Sequence, residues 1–144
     1  MTITLEQAQT IAAAALGHGT EKGFNPLTVA VLDPGGAVVV LARQDGSGYL
    51  RPDLAIGKAN GVLALGMTNR AIAARAADSP EFFTSVANLA GGKIFSVPGG
   101  VFVKDAAGTL LGAVGVTGDA SLNDEAAALA GIEAAGLVAV TGAE

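Results

Sequence analysis

Gly112-Ala113-Val114-Gly115-Val116-Thr117-Gly118-Asp119 reads as an apolar strand that runs into a helix start at Ser121. Glycine weakens a strand interior, because it adds backbone entropy and no packing. Glycines at 112, 115 and 118 therefore imply that something approaches this backbone closely. A ligand or a neighbouring segment would serve, and the N–H groups of a helix start beyond the strand would suit an anion. No βαβ unit surrounds the stretch and no Gly-Lys-Ser/Thr follows it, so neither a dinucleotide fingerprint nor a phosphate loop is present.

Working outward, Lys93–Val97, Val101–Lys104 and Thr109–Thr117 read as three strands, joined by the turns Pro98-Gly-Gly100 and Asp105-Ala-Ala-Gly108. Further upstream, Leu27–Leu32 and Val38–Ala42 flank Asp33-Pro-Gly-Gly36, which predicts a β-hairpin. Short turns within each group require antiparallel pairing. Helices are predicted around these strands. Thr4 and Gln7 form a capping-box pair ahead of Leu5, Ala8, Ile11, Ala12 and Ala15, with Gly23 as the stop. Asp53 is a candidate N-cap for a helix whose apolar residues occupy more than one face, which predicts burial. Thr68 opens a further helix, Ser79-Pro80-Glu81 another, and Ser121 with Asp124 suggests a second capping box before a last helix closed by Gly136. The expected class is α+β, one domain over residues 1–144, with five antiparallel strands flanked by helices and the glycine strand last in chain order and at the sheet's centre.

Composition narrows the function. A net charge of −5 argues against nucleic acid, which needs clustered Lys and Arg. No stretch reaches the ~18 apolar residues of a membrane span, and no basic region precedes an apolar run at the N-terminus; a cytoplasmic location is expected. The absence of cysteine excludes disulfides and thiolate chemistry. With 51% hydrophobic and 15% charged residues, the chain has apolar surface to hide, which points to a homo-oligomer.

His18 is the only histidine and falls on or beside the apolar face of the first helix. One histidine builds neither a facial triad nor an ordinary catalytic zinc site, but it can ligate a haem iron. A Ser-His-Asp triad with Ser47, Ser96 or Ser121 lacks a nucleophile elbow. Arg43, Asp45, Arg51, Asp53 and Lys58 cluster in sequence, and an Arg with a Lys beside a glycine-lined site would clamp a carboxylate or propionate. Asp124-Glu125 would suit a cation, but both also suit a helix's first turn.

Val29-Ala-Val-Leu-Asp33 with Gly35-Gly36, Arg43-Gln-Asp-Gly46, Ala55-Ile-Gly-Lys-Ala59, Pro98-Gly-Gly-Val101, the glycine strand, Asp124-Glu125 and Ala130-Gly131 together resemble the GlcG/HbpS family of haem-binding or haem-degrading domains, over nearly the whole chain. The resemblance implies a profilin-like sheet sandwiched by helices, and dimers that assemble further, up to octamers. It also implies tetrapyrrole binding in some members, with a histidine of the first helix as ligand. A related domain ends PduO-type corrinoid adenosyltransferases, one branch is an exported haem sensor, and many members lie among genes for small organic acid catabolism.

The leading expectation is haem binding, with His18 as axial ligand and metal-binding residue, Arg43 or Lys58 near the propionates, and Gly112, Gly115 and Thr117 lining the site. Two other readings stand beside it. One is an enzyme or accessory protein for a small carboxylate metabolite held by the glycine strand, Arg43, Asp45 and Lys58; the other is a structural oligomer whose glycines serve packing. No catalytic residue is assigned.

Overall fold

A computed structural model describes residues 1–144. The elements run α1 (Leu5–Lys22), β1 (Thr28–Leu32), β2 (Val38–Arg43), α2 (Arg51–Leu65), α3 (Asn69–Asp78), α4 (Pro80–Leu89), β3 (Gly100–Lys104), β4 (Leu110–Thr117), α5 (Ser121–Ala134) and β5 (Val138–Val140). All pairings are antiparallel, in the order β2-β1-β4-β3-β5. The class is α+β, with the glycine strand β4 central, as expected.

The two sheet faces are covered by different helices. Alternation sends Val29 and Val31 toward α1 and α5, and Leu32 toward α2. The first side forms the larger core with Ile11, Val101, Val114 and Ile132; the second joins Leu32 to Ala59, Val62, Ile72 and Ala113. Small residues set the spacing. A side chain at Gly115 would collide with the Ala55 carbonyl of α2, and one at Gly131 would meet the Ile11 carbonyl of α1 at 2.5 Å. The close approach implied by the glycine strand is therefore made by the protein's own helix and strands.

Local signals hold at several ends. Thr4 and Gln7 form the reciprocal capping box, and Gly23 closes α1 in the left-handed conformation with φ 73°. Thr68 caps α3 by accepting from the Ala71 amide. Others differ. Helix α2 starts three residues early, at Arg51, because Pro52 is compatible with a first turn; Asp53 lies in that turn and Leu50 is the N-cap. The Ser121–Asp124 capping box does not form. Asp124 turns inward instead, accepting from the Asp119 amide and facing Lys58.

The largest departure concerns the fifth strand. Lys93–Val97 is not a strand. It crosses α2, where Ile94 and Phe95 occupy the space left by Gly61 and Gly57. Its carbonyls find side-chain donors: Asn60 Nδ2 donates to Lys93 O at 2.9 Å and Asn69 Nδ2 to Phe95 O at 3.2 Å. With those groups satisfied, the segment needs no sheet partner. The fifth place in the sheet is taken by β5, so β4 is not the last strand. No helix is long and apolar enough to cross a membrane.

Candidate functional site

The end of α1, the start of β1, the end of β2, the end of β4 and the starts of α2 and α5 converge at one end of the sheet. The five-residue link between α1 and β1 enforces this, because Asn25 and Pro26 must return the chain at once. Most of the polar side chains singled out in the sequence meet here.

On the α2 side, Arg51 donates to the Thr117 hydroxyl at 2.8 Å. Thr28 and Ser47 share a hydroxyl–hydroxyl bond of 2.7 Å, and Arg43 donates to the Ser47 carbonyl at 2.6 Å. Lys58 Nζ reaches both Val116 O at 2.9 Å and Asp124 Oδ2 at 3.1 Å. Gly99 makes room for that ammonium, since a Cβ there would stand 2.8 Å from Nζ. Burial pulls the Lys58 ammonium below its ordinary value, against the attraction of Asp124. Burial likewise pushes the Asp124 carboxyl up, against Lys58 and the Asp119 amide. Neither residue lines any of the larger cavities.

Glu125 is held by Arg70 in a two-pronged pair of 2.6 and 3.2 Å. Both acids of Asp124-Glu125 thus face protein cations, and no cluster of three histidine or acidic side chains exists to hold a metal ion.

His18 lies on the other side of the sheet, on α1. It is half-buried, with its ring edge-on to Phe24 at 5.8 Å and 70°, and its nitrogens make no hydrogen bond within the chain. Phe24 is set by the α1 cap, its amide donating to Gly19 O. Lys22 follows His18 by one helical turn and is exposed. The structure therefore brings Arg43, Lys58 and Thr117 to one end of the sheet but leaves His18 on the opposite face. Gly115 is mid-strand beneath α2, and Gly112 is toward the far end against Leu32. Arg43 donates to the Ser47 carbonyl and Lys58 to Val116 O and Asp124, so each has a partner within the chain.

Residues 3–133 match the family described as haem-degrading, HbpS-like proteins. The chain belongs to the HbpS-like family. The match ends inside α5, so β5 lies beyond it. No curated protein matches the chain in sequence.

Solved structures share the fold. Streptomyces reticuli HbpS, in a double-mutant form, is 29% identical with a TM-score of 0.79, covering 92% of this chain and 86% of its own. Klebsiella pneumoniae ORFY is 26% identical with a TM-score of 0.84, covering 94% and 92%. PduOC, solved as a haem complex, is 19% identical with a TM-score of 0.84, covering 96% and 98%.

In this HbpS-like chain a cavity of about 550 Å³ opens on the α2 side between the hairpin turn and the Gly91–Gly92 bend; Asp53, Asn60 and Lys93 line it. None of the residues singled out as haem-binding lies there. Sequence reasoning also missed Asn69 and Phe24. A fully buried asparagine at a helix start amid alanines is a weak signal, and Phe24 is one of only five phenylalanines, directly after the helix stop.

Proposed function

We propose that this HbpS-like protein binds haem, with His18 as axial ligand to the iron. The carrying observation is the state of His18: a half-buried ring steadied by Phe24, with no hydrogen bond that ligation would have to break. A neutral imidazole is a haem ligand of the ordinary kind. The family's description as haem-degrading supports the reading, and the fold carries haem in the PduOC complex.

On this reading the site is an open one on the α1 side. His18 would hold the iron, Phe24 would fix the ring plane, and Lys22 would face a propionate from the same helix face. Lys58 and Arg43 have no part in this arrangement, being engaged on the other side of the sheet. When bound, haem supplies a redox-active iron; the chain's own contribution is one nitrogen donor, a ring that orients it and a nearby cation.

Haemin titration of the purified protein tests the proposal. A saturable Soret band is expected, lost or strongly shifted in His18→Ala and retained in Lys58→Met. An identical Soret band in His18→Ala would remove His18 from the site.

A further inference from the structure

The cavity of about 550 Å³ on the α2 side lies apart from His18. Asp53, Ile56 and Asn60 line it from α2, and their spacing of three and four residues puts them on one helix face. Lys93 and Phe95 line it from the segment that crosses α2. Ile56 and Phe95 are half-buried and give the cavity an apolar lining. Its mouth is bare at the bend, because no atom stands within 4 Å of where a Cβ on Gly91 or Gly92 would be.

Two opposite charges border this apolar surface and do not meet. Asp53 and Lys93 are exposed, and the chain's two ion pairs, Lys58–Asp124 and Arg70–Glu125, include neither. Both charges spring from fixed backbone. Asp53 is in the first turn of α2. Lys93 is pinned by Asn60, whose Nδ2 donates to Lys93 O at 2.9 Å. The Lys93 carbonyl carbon stands 3.7 Å from the place of a Cβ on Gly57, which follows Asp53 by one helical turn. The two charged residues are thus anchored about 5 Å apart along the helix. Phe95 is fixed between them and α2, its ring filling the space left by Gly57.

We propose that this cavity binds a small zwitterion, an amino acid with an apolar side chain. Asp53 takes the ammonium, Lys93 takes the carboxylate, and the side chain lies against Ile56 and Phe95. The charge pattern selects this class over its neighbours. A phosphate or dicarboxylate would bring two negative charges to a site with one cation and one acid. A simple amine would leave Lys93 without a partner, and a simple acid would leave Asp53 without one. The site owes nothing to haem, since His18 is across the sheet.

Titration of the purified chain with L-leucine, L-methionine and L-phenylalanine, followed through backbone amide shifts, tests the proposal. Saturable shifts are expected at Gly92 and Phe95. Isocaproate is leucine without the ammonium, and isopentylamine is leucine without the carboxylate. Each should bind about tenfold more weakly than leucine. Asp53→Asn should erase the advantage of leucine over isocaproate, and Lys93→Gln its advantage over isopentylamine. No saturation by any of the three amino acids up to about 10 mM overturns the proposal. Leucine binding that is unchanged in both folded variants overturns it too. Where a variant does not fold, the wild type decides, and leucine binding no tighter than its two truncated analogues overturns the assignment.

Discussion

Lys58 of α2 and Asp124 of α5 meet at 3.1 Å, with side chains 4% and 2% exposed, although their helices cover opposite faces of the sheet. The contact is possible because β3 begins only at Gly100, leaving the end of β4 open on that side. The Lys58 ammonium passes through that gap and also takes the Val116 carbonyl. One ion pair thereby ties both helical layers to the central strand.

Removing one member of the pair leaves a buried charge without its partner, which costs about 3–5 kcal/mol. Lys58→Met should lower unfolding free energy in urea by about that amount. The double variant Lys58→Met/Asp124→Leu should recover part of the loss, since neither charge then remains. Additive single effects in the urea series would contradict the coupling.

Gly115 lies against the Ala55 carbonyl with no room for a methyl group. Gly115→Ala should therefore destabilise by about 1–3 kcal/mol through displacement of α2. Gly108→Ala is a useful contrast, because nothing stands within 4 Å of that position and φ is +84°; its cost comes from backbone conformation alone. Near-ultraviolet circular dichroism around the α2 contact Phe95 should change in the first variant and not in the second.

Asp119 gives a pH dependence. The Asn123 side-chain amide at 2.7 Å, then the Asn25 amide at 2.9 Å, hold its carboxyl below the usual range. The unfolded chain binds this proton more readily, so the stabilisation is complete above the unfolded value of about 3.9 and is lost as pH falls toward the folded one. Asp119→Asn should make the acid limb of the stability curve shallower below about pH 4. Glu144, lowered chiefly by the Thr141 hydroxyl, titrates in the same direction, so part of the limb should persist.

His18→Ala should leave the urea midpoint close to wild type, within about 1 kcal/mol, because the half-buried His18 makes no hydrogen bond within the chain and its ring meets Phe24 edge-on. A much larger loss would assign His18 a role in the fold and make its effect on haem indirect.

Both hairpins and the ends of α1 could be read from the residues, because each depends on chemistry within a few positions: Asp33-Pro-Gly-Gly36, Thr4 with Gln7, Gly23. The buried character of Leu27–Leu32 was equally plain from its unbroken apolar run. Lys93–Val97 misled because its β-like pattern serves packing on α2, and the donors that satisfy it, Asn60 and Asn69, lie more than twenty residues away. Asp124 misled for a similar reason: a first-turn acid suits a helix start wherever it points, and the presence of Lys58 decides its direction.

By itself, the sequence determined the class, the central place of the glycine strand and the family, since these rest on local turn chemistry, periodicity and ordered short motifs. Tertiary structure decided which fifth strand completes the sheet, and that His18 stands on one face while Arg43, Lys58 and Thr117 gather on the other. Those outcomes depend on which side of a sheet each helix covers and on which distant side chain satisfies a backbone or a charge. Spacing along the chain does not encode either one.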